Sequence, residues 1–329
     1  MQCGGGEASD PQRGFVHQAL IYDSDQGFID VSLPFVREGI GAEEPTLVAV
    51  QRRNVDNLRE ALGDADGVTL LSVEQWYETS ARTRDKFARW ASARLTNGGH
   101  EHRRRINRVR VIGEPPWAVG NGAQVRDWAR HESVLNVAFD GLPVTFICPY
   151  DARELPDGII EHAQATHPEI VDESGTASSA TYEDPRDFCR RLDSEVRAPE
   201  GTTFTELTFA LGDLSAVRRV VESAAVGAGL AAARVGEMVL AVNEISTNAV
   251  IHGRPPAKLR VWKPEGELVF EVSDAGEGIR DVLAGQLRPA ARGLGGRGLW
   301  LTRLLSDAVE VRNGDGCAVA IHATTPRLN

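Results

Sequence analysis

Three short groups of residues, in fixed order toward the C-terminal end, carry side chains able to hold a nucleotide and move a phosphoryl group. The first is Glu244-x-x-x-Asn248-Ala249. Four residues make about one helical turn, so on a helix the carboxylate and the carboxamide project from one face. Such a pair can hold a hydrated Mg²⁺, which takes few protein ligands and fills its remaining positions with water and phosphate oxygens. It can also steer a nucleophile. The second group, Asp274-x-Gly276-x-Gly278, offers one acceptor and two positions where backbone can come close. The third, Gly293-x-Gly295-Gly296-Arg297-Gly298-Leu299, opens a helix, where free N–H groups and the helix dipole favour anions. It is not G-x-x-x-x-G-K-[ST], which excludes a Walker A loop. Taken singly, Glu-x-x-x-Asn is usually a solvated helix face, and Asp-Ala-Gly-Glu-Gly more often a turn. Their order and the elements around them carry the specificity.

Those elements are legible. Val239, Leu240, Val242, Ile245, Ala249 and Val250 recur mostly at helical spacing and predict a helix over 231–252. A strand over 203–211 and a helix over 215–229 precede it. Strands over 259–263 and 268–273 pair around Pro264-Glu-Gly. A helix over 297–305 and a hairpin of 308–312 with 317–323, turning at Asn313-Gly-Asp-Gly, follow. The segment 280–292 holds three arginines, one proline and few large apolar residues, and reads as a mobile lid. The expected product is a mixed sheet covered on one face by helices.

The three groups in these settings resemble the N, G1 and G2 boxes of the GHKL (Bergerat-fold) ATPases. Within that superfamily, residues 203–326 look like the anti-sigma-factor serine kinases, with Arg218 in the first helix, Asn248-Ala-x-x-His252-Gly253, and Gly296-Arg-Gly-Leu-Trp-Leu301. The resemblance implies a Bergerat-fold α/β sandwich and roles for its residues. Asn248 would ligate Mg²⁺, and Asp274 would accept from the adenine amino group of ATP. Gly276 and Gly278 would admit the nucleotide against the backbone. Gly293, Gly295, Gly296, Arg297, Gly298 and Leu299 would form the phosphate segment. Glu244 would be the general base toward a serine or threonine of a protein substrate. The implied partner is a STAS-domain anti-sigma antagonist, with a sigma factor as a further one. Two alternatives stay open. An ATP-binding partner-switch module would keep the site with little transfer. A histidine kinase would share it, but needs a phosphoacceptor histidine just before the ATPase. Residues 185–196 contain none, and His131-Glu132 lies far upstream among strands.

The first half alternates strands (17–22, 46–51, 68–71, 108–112, 144–148) with helices (28–39, from Asn54 as a cap to 62, 77–95, 125–139, 159–165), which predicts a doubly wound parallel sheet. Ligands on such sheets lie beyond the carboxyl ends of the strands, here at loops 23–27, 113–117 and 149–151. Asp23-Ser-Asp-Gln-Gly27 sits where a RecA-like domain carries its phosphate loop, yet has two acids and no lysine. Phe35-Val-Arg-Glu-Gly-Ile-Gly-Ala-Glu-Glu-Pro-Thr-Leu-Val-Ala-Val50 looks like a helix–strand step of KaiC-type domains, so the expectation is a degenerate RecA/KaiC-like sheet. Residues 15–182 resemble the MEDS family, through His17 with Tyr22, Gly113-Glu114 with Trp117, His131-Glu132 with Asn136, Cys148-Pro-Tyr-Asp151 and His167-Pro168. That resemblance implies a sensory domain for small organic molecules, without catalysis. His131 departs from an aromatic common in the family, and a basic insert, His100–Arg105, lengthens one loop; it reads as solvated or as a partner site. His17, His131 and His167, far apart in sequence, read as hydrogen-bonded histidines before metal ligands. Trp117 serves as a packing wedge or as a stacking surface for a ligand.

At 329 residues and 42% hydrophobic content the chain can hold two packed domains. The expected division is a disordered leader 1–14, a sensory domain 15–182, a linker 183–201 marked by small polar and Pro/Gly stretches that begin at Ser174, and a kinase domain 202–329. A net charge of −11 argues against direct nucleic-acid binding. No apolar run approaches a membrane span, and the start lacks a signal-peptide core. The four scattered cysteines, with no C-x-x-C, point away from disulfides or a zinc site and toward a reducing cytoplasm. A homodimer is compatible with either half.

Overall fold

The computed structural model describes residues 14–63, 66–96, 106–117, 122–197, 205–289 and 296–326. Residues 1–13 of the expected leader, the insert His100–Arg105, and Gly293 and Gly295 lie outside the described residues. The rest falls into two compact units, one built on each of two sheets.

The first unit contains β1 (Val16–Tyr22), α1 (Asp25–Gly41), β2 (Thr46–Val50), α2 (Arg52–Leu62), β3 (Val68–Ser72), α3 (Val73–Trp76), α4 (Ser80–Thr96), β4 (Val109–Gly113), α5 (Gly122–Ala138), β5 (Val144–Asp151), α6 (Asp157–Thr166), β6 (Glu169–Asp172) and β7 (Gly175–Ser178). The sheet order is β3-β2-β4-β5-β1-β6-β7, parallel throughout except for the antiparallel β6–β7 edge. It is the doubly wound sheet that the alternation predicts. β2, β4 and β5 are buried at every position, as strands covered on both faces must be. One face packs Phe28, Val31, Phe35 and Val36 of α1 and Val55 and Leu58 of α2 against Leu20, Val48, Val50, Ile112 and Ile147.

Four expectations are corrected here. Residues 23–27 are not a loop: Ser24 caps α1 through its hydroxyl, which accepts from Gly27 N, so the helix begins at Asp25 and leaves no turn for a phosphate. Asn54 is no cap: it is buried within α2, and its amide donates to Tyr22 Oη and Glu114 Oε2. Pro149-Tyr150-Asp151 continues β5, paired with β1 to its last residue. The polar stretch from Ser174 is not all linker, because 175–178 form the exposed edge strand β7.

The second unit takes in the chain from Cys189, within α7 (Pro185–Glu195), onward. It contains β8 (Thr205–Phe209), α8 (Leu214–Gly227), α9 (Ala232–Ile251), β9 (Ala257–Trp262), β10 (Glu267–Asp274), α10 (Arg297–Leu305), β11 (Ala308–Gly314) and β12 (Gly316–Thr324). Its sheet, β11-β12-β10-β9-β8, is antiparallel at every pairing, not mixed, since β12 lies between β10 and β11, which run in one direction. α9 buries Val235, Met238, Ala241, Val242, Ile245 and Ala249 against Leu259, Val261, Phe270, Val272, Val319 and Ile321. Each large side chain so buried contributes about 1.5–3 kcal/mol. On the other face of this sheet Glu271 is held by Arg260 and Arg312.

Candidate functional site

In the second unit the residues singled out from sequence converge where α9, the end of β10 and the start of α10 meet. Glu244 and Asn248 lie on one face of α9, half-exposed, one turn apart. α10 crosses directly over them: a β-carbon on Gly298 would stand 3.0 Å from Glu244 Oε2 and 3.2 Å from Asn248 Nδ2. The crossing is fixed by Thr302, whose buried hydroxyl bonds Gly298 O on its own helix and Ala241 O on α9, and by Leu299, buried in the shared core. Gly296 caps α10 in the left-handed conformation, and Arg297 is its first residue. Among the described residues no hydrogen bond or ion pair engages the Glu244 carboxylate. It stands beside a helix N-terminus, a setting that suits phosphate.

Asp274 ends β10. Its Oδ1 accepts from Gly276 N at 2.7 Å and from Arg254 N at 3.3 Å, which fixes the carboxylate beneath the end of α9. That approach requires Gly276, where a β-carbon would meet Asp274 Oδ1 at 2.6 Å and Gly253 Cα at 2.8 Å. Gly278, at a φ of 81°, sits against Asn313. Asn313 was missed as a site residue because Asn-Gly after a strand reads as a hairpin turn. It does more: its side chain accepts from Ile279 N (3.0 Å) and donates to Ile279 O (2.9 Å), pinning the loop that follows Asp274. Arg218 donates to Asn243 Oδ1, next to Glu244. The segment expected as a mobile lid begins as packed turns. Leu283 and Gln286 are buried, and Gly285 lies against the backbone of Leu299 and Trp300.

In the first unit the strand ends gather a second polar cluster. Glu114, after β4, accepts from Gln51 N (2.8 Å) and Asn54 Nδ2 (3.1 Å), and Tyr22 Oη stands 3.4 Å away. Asp151 binds Arg53 and Arg153. Burial works to raise Asp151, but hydrogen bonds from Arg153 and the charge of Arg53 outweigh it and hold the carboxyl below its usual range. The Trp117 and Tyr150 rings lie 5.8 Å apart. Both are buried, and Trp117 Nε1 and Tyr150 Oη have no hydrogen-bond partner among the described residues. His131 is 1% exposed and edge-on to Trp128, so it offers no accessible phosphoacceptor.

Burial pushes the Glu114 carboxyl up, against the pull of Gln51 N–H, Asn54 and Arg53. A raised acid stabilises the fold in its protonated form. Its contribution is full below the pKa of the unfolded chain and is lost as pH rises through the folded value. Glu114→Gln keeps an acceptor for Gln51 and Asn54 and removes the titration. The melting temperature of the variant minus that of the wild type is therefore expected to grow more positive from about pH 4 to about pH 8. A pH-independent difference in thermal-melt series would refute this account of Glu114.

Two family profiles match the chain. Residues 16–168 match MEDS, the MEthanogen/methylotroph, DcmR Sensory domain, and residues 207–322 match the histidine kinase-like ATPase domain. No curated protein matches. Among solved structures, the RsbU and RsbW domains of a Mycobacterium tuberculosis protein are 17% identical over 44% of this chain and 43% of that one, with a TM-score of 0.29. The cytoplasmic domain of EssC is 12% identical over 49% of this chain and 33% of that one, also at a TM-score of 0.29. The chain spans less than half the length of either. Among the described residues no helix is long and apolar enough to cross a membrane.

Proposed function

We propose that this chain, which joins an N-terminal MEDS domain to a C-terminal histidine kinase-like ATPase domain, is an ATP-dependent serine/threonine protein kinase. Its substrate is a STAS-type anti-sigma antagonist, and its N-terminal unit senses a small organic molecule. The observation that carries the reading is the face of α9, where an unengaged carboxylate and a carboxamide sit side by side under the N-terminus of α10. The motif resemblance to anti-sigma-factor kinases supports the same substrate class. Asn248 would hold magnesium, which supplies charge neutralisation on the phosphates. Gly298 lets the start of α10 come close above Asn248, and the N–H groups there favour a phosphate anion beside it. Glu244 takes the proton of the incoming hydroxyl. Asp274 receives the adenine amino group, held in position by Gly276 N. In the first unit, Trp117 Nε1 and Tyr150 Oη are two buried polar atoms available to a small molecule at the strand ends.

The test is incubation with labelled ATP and STAS-domain proteins, followed by mass-spectrometric mapping. Phosphate on a serine or threonine of the antagonist is expected. Asp274→Asn should weaken ATP binding, because the amide NH₂ opposes the adenine amine. Loss of a charge-assisted hydrogen bond costs about 1.5–3 kcal/mol, roughly 10- to 150-fold in affinity. Unchanged affinity by calorimetry would remove Asp274 from the site. ATP and antagonist binding without transfer would assign the chain to the partner-switch modules.

A further inference from the structure

Away from the nucleotide-site residues, one cluster of chemically able side chains in the first unit is buried and unexplained by packing. His17 on β1, Glu132 on α5, Cys148 on β5 and His167 at the end of α6 are each no more than 2% exposed. One ligand atom from each lies within 4.8 Å of all the others. Three of the six separations have the size of tetrahedron edges. His17 Nε2 is 3.5 Å from Glu132 Oε2, His167 Nε2 is 3.3 Å from the same oxygen, and Cys148 Sγ is 3.5 Å from His17 Nε2. Ligand bonds of about 2.0–2.3 Å around zinc give edges of about 3.3–3.7 Å.

The protons point the same way. Asn136 donates its amide to Ser133 O and Thr166 O, so its Oδ1 is the atom that faces His17 Nδ1 at 3.1 Å. That acceptor places the His17 proton on Nδ1 and turns the Nε2 lone pair inward. His167 Nδ1 lies 2.8 Å from Ala163 O, with the same result. Two imidazole lone pairs, a carboxylate oxygen and a sulfur thus converge on one point. Glu132 Oε2 and His167 Nε2, though close, have no hydrogen-bond partner among the described residues. Converging acceptors without a cation are costly in a buried site. Histidines oriented through Nδ1 by an amide and a carbonyl are the usual outer support of metal-bound imidazoles.

The geometry points to a buried metal site in which His17 Nε2, Glu132, Cys148 Sγ and His167 Nε2 hold one divalent transition-metal ion, zinc by its ligand set. Four protein ligands fill a tetrahedron, so the site is closed and structural. It ties β1 and β5 to α5 and α6. Tyr150, two residues beyond Cys148, stands edge-on to His167 at 5.7 Å, so the metal would also set the floor beneath Trp117 and Tyr150. The proposal is independent of any kinase activity.

The test uses the untagged full-length protein, expressed with zinc or with cobalt and dialysed. About one zinc per chain is expected by elemental analysis. The cobalt form should show a thiolate-to-metal charge-transfer band. Cys148→Ala should lose the band. A variant with Cys3, Cys189 and Cys317 all changed to alanine should keep it, which decides the matter even if Cys148→Ala does not fold. Asn136→Ala retains all four ligands and should bind zinc about 10- to 100-fold more weakly. Folded wild type that takes up no metal from the medium, or a band that survives Cys148→Ala or vanishes from the triple variant, would overturn the site and leave a buried hydrogen-bonded cluster.

Discussion

Glu244→Gln is expected to bind Mg-ATP with wild-type affinity and to transfer phosphate about 10²–10⁴-fold more slowly, the usual cost of losing a general base. The two polar residues of α9 share a face but not a task. Asn248 would hold the ion that neutralises the phosphates, so Asn248→Ala should impair nucleotide binding and transfer together. Glu244 has no partner among the described residues, and its removal leaves no structural contact to mourn; the glutamine is nearly isosteric under Gly298. Single-turnover transfer to a cognate antagonist, measured beside nucleotide affinity for both variants, separates the two roles. Equal transfer by wild type and Glu244→Gln would show that Glu244 is not the base. Phosphate on a histidine of the chain itself would favour the histidine-kinase mechanism, against the burial of His131.

Gly316→Ala should destabilise the second unit by about 2–5 kcal/mol, the sum of a strained backbone and an overpacked contact, and should weaken ATP binding as well. Gly316 opens β12 at a φ of 118°, a conformation that L side chains rarely adopt. A β-carbon there would overlap the backbone oxygen of Asp274 and stand 3.2 Å from Ala275 Cα. The relief available is to push β12 from the end of β10, which moves the Asp274 carboxylate. Gly314, its partner across the turn, has nothing within 4 Å of its β-carbon position. Gly314→Ala is therefore expected to change stability by no more than about 0.5 kcal/mol. Denaturant titration and nucleotide binding of the pair give the comparison; equal effects would dismiss the contact with Asp274.

What could be read from sequence was what is local. Glu244 and Asn248 share a face because one helical turn separates them, and the spacing of Val242, Ile245 and Ala249 marks the buried face, although Leu240, read with them, is exposed. The doubly wound sheet followed from alternation alone. Contacts made by the sheets were not legible. Nothing in the spacing says that Gly253 touches Gly276, which depends on how the end of α9 meets the end of β10, or that Asn313 clamps Ile279, which depends on the registers of β10 and β11 with β12. Asn54 reads as a cap by residue type, yet lies where β1 and β4 bring Tyr22 and Glu114 to it. Proline and aspartate made 149–151 look like a loop, although β1 pairs with β5 up to Asp151. His17, Glu132, Cys148 and His167 show no metal-ligand spacing, since their proximity is a property of the sheet and the helices over it.

β1 finds its neighbours far along the chain: Val16 sits beside Thr145, and Gln18 beside Glu169. During synthesis β1 must therefore wait until β5 has left the ribosome. Until then the apolar strands β2 and β4 have neither their full sheet nor their final cover. In the second unit β9 and β10 are separated by one turn, and β11 and β12 by a single residue, so two of its four pairings close over short loops. Non-local pairing slows folding and leaves strand edges open to other chains. The half made first thus carries the longest-range pairings of the chain, and the edge of β5 stays open until β1 has docked on it.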